Sequence, residues 1–358
     1  MTGLGKKVRV VGAGLLGTSI GLALTKQGVE VTITSKSKKS VELAVQYGAG
    51  REATDQDSPD LIVVCVPPNL TAQVVAEELI RFPQAVVTEV ASFKVNILKS
   101  LEELAAPLER YVGSHPMAGR ERGGAIAGRA DLFVGRPWVI TPNEKSSPAA
   151  IQMVEQLATA LDSSVVSIAP EAHDRAVALV SHVPQLISSL LAARLVPAIE
   201  TDVALAGQGL RDTTRIAASD PELWMQILEG NSHEVVKILK SFAADLDQAI
   251  IALEDLSVPK NFAVLESILE LGNTGVEKIP GKHGTKHSTY AQVVVMIDDQ
   301  PGELARLLTE VGETDINLEE LKLEHSPSAQ IGLVELYVLP EKEELLIQDL
   351  LDRGWRIA

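Results

Sequence analysis

Residues 7–28, Lys7-Val8-Arg9-Val10-Val11-Gly12-Ala13-Gly14-Leu15-Leu16-Gly17 running on through Thr18, Ser19, Ile20 and Gly21 to Gly28, decide the fold. Residues 7–13 are rich in β-branched side chains and bounded by glycines, the pattern of a strand buried on both faces of a parallel sheet. From Leu15 the apolar spacing turns helical and stops near Gly28. Between the two, Gly12, Gly14 and Gly17 spell GxGxxG. The first glycine of such a turn permits a tight bend, the second lets backbone approach a pyrophosphate, and the third lets helix pack closely on strand. The pyrophosphate then meets a helix N-terminus, whose unpaired N–H groups and dipole favour negative charge. Gly12, Gly14, Leu15, Leu16 and Gly17 are therefore the candidate cofactor-binding residues of the turn. Glycines used for packing alone are the alternative.

Working outward, strands are expected at 29–34, 60–68, 85–92, 111–114 and 138–142, with helices over about 38–48 and 69–81. Short apolar strands alternating with helices of ten or more residues give a doubly wound α/β, Rossmann-like domain. An NAD-selective site places an acidic residue about 20 positions after the glycines, against the ribose diol. Here the second strand runs into Ser35-Lys36-Ser37-Lys38-Lys39, with no acid. Ser35, Lys36 and Lys38 suit a 2′-phosphate and favour NADP over NAD. A solvated lysine-rich loop is the bland reading. Pro67, closing the 60–68 strand, joins the candidate cofactor set.

Beyond about residue 165 the texture changes. Residues 170–278 have helical apolar spacing, with Pro184 expected to kink or split one long helix and a further break near Gly230 and Asn231. This all-α part reads as a substrate wall or dimerisation half. Residues 279–289, IPGKHGTKHST, form a connector without periodicity. Then come a strand (290–298), a helix (302–313), strands (317–325 and 331–339), a helix (341–353) and a last short strand, a ferredoxin-like βαββαβ unit. The expected domains are 1–168, 169–280 and 289–358.

Composition limits the partners. Of 358 residues, 48 are Asp or Glu and 32 are Lys or Arg, a net charge of -16, and aromatics are 3%. That balance argues against nucleic acid and anionic membranes, both of which need a basic footprint, while leaving a small anionic substrate open. From Asp298 onward 15 acidic side chains face 5 basic ones, so about -10 of the charge lies in the last unit. The lone Cys65 excludes a disulfide framework. No cleavable apolar segment precedes the first strand, and the apolar run 177–199 is interrupted by His182 and Arg194. A cytoplasmic protein is expected.

The candidates for chemistry lie where such folds hold ligands, just past strands. His115 follows one strand, and Ser92 another. His173 and His182 lie nine apart, and Arg211 and Arg215 one helical turn apart. A histidine can take a hydroxyl proton as hydride leaves for a nicotinamide, and an arginine can clamp a carboxylate. Polar packing residues are the alternative for each. No spacing here is a metal signature.

The blocks GAGLLGTSIG (12–21), CVPP (65–68), EVASFK (89–94), GSHPMAG (113–119), HDRAVALVSHVPQ (173–185) and TRIAASDPELW (214–224) resemble the prephenate dehydrogenase family, which includes arogenate and cyclohexadienyl dehydrogenases. The resemblance covers residues 8–278. It implies oxidative decarboxylation of prephenate, a small anionic cyclohexadienyl substrate, to 4-hydroxyphenylpyruvate by an NAD(P)-dependent enzyme of tyrosine biosynthesis. It also implies a homodimer formed through the helical half. On matching positions it makes His115 the group that polarises or deprotonates the ring hydroxyl. Ser92 orients that histidine, Arg215 binds the ring carboxylate, His173 and His182 line the pocket, and Trp224 supports the arginine. Arg211 joins the substrate set. Many prephenate-using members carry His where this chain has Gln185, which leaves arogenate as the alternative substrate.

The last unit resembles an ACT domain, a regulatory amino-acid-binding module. That resemblance makes Asp299, Gly302, Glu303, Leu304 and Asn317 the effector candidates, with tyrosine or a related amino acid as ligand. The family more often has Gly at the position of Asp315. Two rivals stand beside these readings. One is a dehydrogenase of the 3-hydroxyacid or 6-phosphogluconate type using Lys237 or Lys240, which leaves the His and Arg blocks unexplained. The other is a non-enzymatic nucleotide-sensing regulator.

Overall fold

The structure is a computed structural model that describes residues 7–119, 123–280, 290–325 and 331–358. The connector reading for 281–289 and the RER of the block after His115 (residues 120–122) lie outside these. The chain divides into two compact units, Met1–Phe242 and Ala243–Ala358.

The first unit is built on an eight-stranded sheet of β1 (Lys7–Val11), β2 (Glu30–Thr34), β3 (Arg51–Glu52), β4 (Leu61–Val64), β5 (Val86–Glu89), β6 (Tyr111–Pro116), β7 (Pro137–Thr141) and β8 (Ser164–Ser167). Its order is β3-β2-β1-β4-β5-β6-β7-β8. The strands from β3 to β6 are mutually parallel, and β7 runs antiparallel to β6. Helices α1 (Leu15–Lys26), α2 (Lys38–Gln46), α3 (Pro68–Arg81), α4 (Val95–Glu103) and α5 (Pro148–Ala160) connect them. Two apolar cores result. Val8, Val10, Ile20, Leu24, Trp138 and Leu157 belong to one, and Ile62, Val64, Leu79, Val87 and Leu101 to the other. The chain reverses direction of winding between β1 and β4, which opens a crevice beyond their carboxyl ends, where doubly wound sheets bind ligands. The expected strand at 60–68 is shorter, Leu61–Val64, because Pro67 and Pro68 have no N–H to give to a ladder.

The expected long helix is in fact α6 (Pro170–Val177), a π turn (Ala178–His182) and α7 (Val183–Ala193). Pro184 stands in the first turn of α7, where its missing N–H costs little, and the wide π turn just before it absorbs the clash with the preceding carbonyls. The stretch Pro170–Ala193 is long and apolar enough to cross a membrane, with mean hydropathy 1.6 over its best window. It nevertheless buries His173, Asp174, His182 and Gln185 within this unit. Helices α8 (Glu200–Val203), α9 (Gln208–Thr214), α10 (Pro221–Gly230) and the start of α11 (Ser232–Glu254) follow. The break falls at Asn231, as the sequence indicated.

The second unit holds the rest of α11, α12 (Pro259–Val276) and a four-stranded antiparallel sheet in the order β10-β11-β9-β12, from β9 (Ala291–Asp298), β10 (Glu320–His325), β11 (Ile331–Val338) and β12 (Arg356–Ile357). Helices α13 (Glu303–Gly312) and α14 (Glu343–Asp352) complete the β–α–β–β–α–β chain order. Alternate residues of β9 and β11 are buried, so one sheet face packs with Leu307, Val311, Leu346 and Leu350 of the helices. Trp355 closes this core, with Arg306 stacked 3.9 Å over its ring and its Nε1 donating to Glu310 Oε2 at 2.7 Å.

Candidate active site

The glycine turn fits a dinucleotide. Gly12 has φ +114°, and a Cβ there would lie 2.2 Å from the carbonyl oxygen of Cys65 on the neighbouring β4 loop. A Cβ on Gly17 would lie 1.9 Å from the Gly12 carbonyl oxygen, so only glycine lets α1 start this close to the turn. A Cβ on Gly14, by contrast, would meet nothing within 4 Å. The open space at Gly14 borders a cleft of about 1190 Å³ that is also lined by Leu15, Leu16 and Pro67. No side chain caps the first turn of α1, which leaves its N–H groups for an anion. Ser35 Oγ accepts from Ser37 N at 3.4 Å, and Ser37 caps α2, while Lys36 and Lys38 extend into solvent without an ion pair among the described residues.

The same cleft is lined by Ser92, Gln185, Arg215, Ser219 and Trp224. Arg215 has no ion-pair partner among the described residues, whereas Arg211 is exposed on α9 and is not part of the cleft lining. Helix α9 ends at Thr214, and a 3₁₀ turn at Arg215–Ala217 carries Arg215 to the wall. Gln185 is buried and its Nε2 donates to Ser219 Oγ at 2.7 Å.

Behind this wall the histidines are joined. His115 is half-buried at the end of β6, and its Nδ1 lies 2.9 Å from His173 Nε2. His173 is fully buried, and its Nδ1 lies 2.7 Å from Asp174 Oδ1. Asp174 also accepts from the backbone N–H groups of Lys94 (2.8 Å) and Val95 (2.9 Å), so it caps the start of α4. His182 is buried; Asn231 Nδ2 donates both to its Nδ1 (3.1 Å) and to the Asp174 carbonyl (2.8 Å). The neutral His182 ring therefore carries its proton on Nε2, which is buried without a partner among the described residues. Trp224 meets that ring edge-on at 6.1 Å.

None of His115, His173 and His182 is among the cleft's lining residues, although the sequence reading had His173 and His182 line the pocket; His182 instead packs against Trp224, which does line it. The partner of His115 Nδ1 is His173, where the sequence reading assigned the orienting role to Ser92. At 3.6 residues per turn, nine positions are about two and a half turns, which sets the two histidines on opposite faces of a regular helix. The π turn takes more residues per turn, which reduces the rotation between them and brings His182 back toward Asp174 and Asn231.

A second buried network lies under β5 and β6. Lys94 is 1% exposed and Glu89 is wholly buried, and the two are paired. Lys94 Nζ also donates to the Ser114 carbonyl at 2.6 Å. Glu89 additionally accepts from Ala91 N (2.7 Å) and the Tyr111 hydroxyl (3.2 Å). Burial, opposed by Glu89, lowers the ammonium of Lys94, and burial with Glu89 holds the Tyr111 phenol well above its usual range. Burial, with smaller contributions from His173, Lys94 and His182, holds His115 well below the usual imidazole range. Burial takes His182 to about 4, against the pull of Asp174. Asp174, Glu89 and Tyr111 had no place in the sequence reading, and Asn231 entered it only as a helix break. The adjacent His-Asp pair and the i,i+5 Glu-Lys pair were the only local signals.

The comparisons with known proteins decide the family. A model described as the nucleotide-binding domain of prephenate dehydrogenase matches residues 20–167, and one described as its dimerization domain matches residues 169–267. The chain belongs to the prephenate dehydrogenase family. A relative named probable prephenate dehydrogenase NovF, from Streptomyces niveus, is 34% identical over 97% of this chain and 98% of its own. A cyclohexadienyl dehydrogenase of Zymomonas mobilis is 31% identical over 67% of this chain and 86% of its own. Among solved structures, Synechocystis arogenate dehydrogenase matches with 27% identity and a TM-score of 0.63, over 75% of this chain and 99% of that one. The Aquifex aeolicus prephenate dehydrogenase, solved with hydroxyphenyl propionate and NAD+, matches with 25% identity and a TM-score of 0.66, over 76% and 97%. The glycine turn and the cleft with Arg215 and Ser92 thus lie within a dehydrogenase of the prephenate dehydrogenase family.

Proposed function

We propose that this enzyme catalyses the oxidative decarboxylation of prephenate to 4-hydroxyphenylpyruvate, in tyrosine biosynthesis. One observation carries the reading. A single cleft joins the glycine turn to Ser92, Gln185 and Arg215, with the His115–His173–Asp174 chain beside it. Bound NAD(P) supplies the hydride acceptor. The backbone of Gly14, Leu15 and Leu16 holds the pyrophosphate, and Pro67 lines the same end of the cleft. Arg215 binds the ring carboxylate, Ser92 hydrogen-bonds the ring hydroxyl, and His115 takes its proton as hydride leaves that carbon. The carboxylate bond then breaks, its electron pair enters the ring, and the product aromatises as carbon dioxide departs.

Gln185 supports a second reading, arogenate dehydrogenation to tyrosine. With Nε2 committed to Ser219, its carbonyl oxygen remains as an acceptor, which an ammonium satisfies and a keto group does not. Ser35, Lys36 and Lys38, in a stretch after β2 (residues 35–39) that carries no acid, support NADP over NAD.

The reading extends to the rest of the chain, with domains at 1–168, 169–280 and 289–358. Exposed Leu246, Ile250, Leu253, Phe262, Leu269 and Leu271 on α11 and α12 support a homodimer through the helical part. The strand order β10-β11-β9-β12 supports a ferredoxin-like, ACT-like unit. In it Asp299, Gly302, Glu303, Leu304 and Asn317 flank the two ends of α13 as an effector site for tyrosine. Asp315 has φ +57°, a left-handed conformation that glycine adopts freely and Asp tolerates, which accounts for the departure at that position. A cytoplasmic location belongs to the same reading.

The test is an assay of prephenate and arogenate, each with NAD and NADP, with and without tyrosine. Reduction of the cofactor with one of the two substrates is expected. No reduction with either overturns the proposal. Lys36→Ala with Lys38→Ala is expected to lower the NADP to NAD preference, and an unchanged ratio overturns the 2′-phosphate role.

A further inference from the structure

We infer that His173 and Asp174 are positioning residues that fix the tautomer of His115, leaving its Nε2 as the bare, proton-accepting nitrogen. This rests on the function proposed above for the use of that nitrogen, but the tautomer itself follows from hydrogen-bond bookkeeping. Asp174 Oδ1 is a carboxylate acceptor, so His173 Nδ1, 2.7 Å away, carries a proton. In a neutral His173 the other nitrogen, Nε2, is then an acceptor. His115 Nδ1, 2.9 Å from it, must in turn be the donor. A neutral His115 with its proton on Nδ1 presents a lone pair at Nε2, on the edge of the ring away from His173.

Asp174 is itself held against reorientation. Its two oxygens accept from Lys94 N and Val95 N, and Asn231 clasps its carbonyl. The chain therefore begins at a fixed helix start rather than at a free side chain.

The inserted second imidazole has its own consequence. The carboxylate is separated from His115 by a full ring, so it directs the proton without placing a negative charge against the base. The other groups facing His115 are the Lys94 ammonium and His182, with Glu89 and Tyr111 grouped around Lys94. Burial and the Lys94 ammonium disfavour an imidazolium, so His115 stays neutral and available to accept. When it takes the substrate proton, the resulting Nδ1–H still donates to His173, and the bond that oriented the base now stabilises its cation. The proton that His115 Nε2 accepts from the hydroxyl is the one it can return when the aromatic product is released, so no other acid is needed.

The test uses the full chain. The variants are Asp174→Asn, His173→Phe and His173→Gln, with kcat, dinucleotide affinity, thermal midpoint and the kcat pH profile measured for each. In Asp174→Asn the carboxylate charge that holds the proton on His173 Nδ1 is gone and the NH2 must face a backbone N–H of Lys94 or Val95; with the NH2 toward Lys94 N it also faces His173 Nδ1, and the proton pattern reverses and puts a proton on His115 Nε2. A reversed tautomer behind an intact base costs about 10⁴-fold in a comparable triad. Asp174→Asn and His173→Phe are expected to lose at least a hundredfold in kcat with dinucleotide affinity within threefold of the parent. In His173→Gln the amide oxygen can still accept from His115 Nδ1, and kcat is expected within tenfold. Activity of all three at the parental level, with parental pH profiles, overturns the inference. Equal loss in His173→Gln and His173→Phe does so as well.

If a variant fails to fold, ¹⁵N spectra of the histidine-labelled parent decide the matter, with His115→Asn assigning the signal. A protonated Nδ1 and bare Nε2 on His115 at neutral pH support the inference, and the opposite tautomer overturns it. That spectrum needs no substrate, so a parent that reduces no cofactor refutes the proposed function while leaving the tautomer to be read independently.

Discussion

The buried Lys94–Glu89 pair is the sharpest energetic consequence of this architecture. Neither side chain reaches solvent to any useful extent, and Lys94 Nζ is divided between the Glu89 carboxylate and the Ser114 carbonyl, one residue before His115. Lys94→Met fills much of the same volume but strands the carboxylate. Breaking a buried pair from one side costs about 3–5 kcal/mol, because the remaining charge is left uncompensated. Ala91 N and the Tyr111 hydroxyl still donate to Glu89, which places the expected loss toward the lower end. At roughly 2–4 °C per kcal/mol for a body of this size, the thermal midpoint falls by roughly 6–20 °C. Adding Glu89→Gln removes the stranded charge; the amide oxygen can accept from Ala91 N while the amide NH2 donates to the Tyr111 hydroxyl oxygen. What the double variant still lacks is the donor to the Ser114 carbonyl, about 1–3 kcal/mol. The double variant is therefore expected to be more stable than Lys94→Met alone. Thermal and urea unfolding of the parent, both single variants and the double variant, at one protein concentration, complete the cycle. A Lys94→Met protein within about 1 kcal/mol of the parent, or a double variant no more stable than Lys94→Met, refutes the reasoning.

Three further outcomes follow from the site. Gly17→Ala puts a methyl group 1.9 Å from the Gly12 carbonyl oxygen, so α1 must move. We expect about 1–3 kcal/mol of destabilisation and at least a tenfold weaker dinucleotide, read by titration of the cofactor. His115→Asn is expected to lower kcat by roughly 10²–10⁴-fold, the usual contribution of a general base, while dinucleotide affinity stays within threefold. The buried neutral histidines also give stability a pH dependence. His182 has its pKa lowered to about 4, against an ordinary value of 6.5. Between those values the unfolded chain binds the extra proton, so stability is complete above pH 6.5 and falls as the pH drops toward 4, by about 3 kcal/mol from His182. His115 is shifted in the same direction and adds to the slope. Urea midpoints that do not fall between pH 6.5 and 4.5 contradict the burial of neutral rings.

The sequence alone determined the glycine turn, the α/β alternation around it, the split at Pro184 and the two-helix, four-strand pattern of the last unit. Each is a local signal, namely a backbone conformation only glycine tolerates, a period of 2 or 3.6, or a proline without an N–H. It also picked out Ser92, Gln185 and Arg215, which the fold brings to one cleft although Ser92 lies 93 positions from Gln185 and 123 from Arg215. Only the tertiary structure decided which histidine partners which. His115 and His173 are 58 positions apart and touch because β6 ends beside α6, and Asp174 caps α4 from 79 and 80 positions away. The pairing of Lys94 with Glu89 matters for the same reason. Five positions apart in sequence, they become an ion pair with structural force only once β5, β6 and α4 close over them and water is excluded. Periodicity reports which face of an element is apolar. Whether a polar side chain on that face is a ligand, a base or a support for the base depends on what the opposite element places against it.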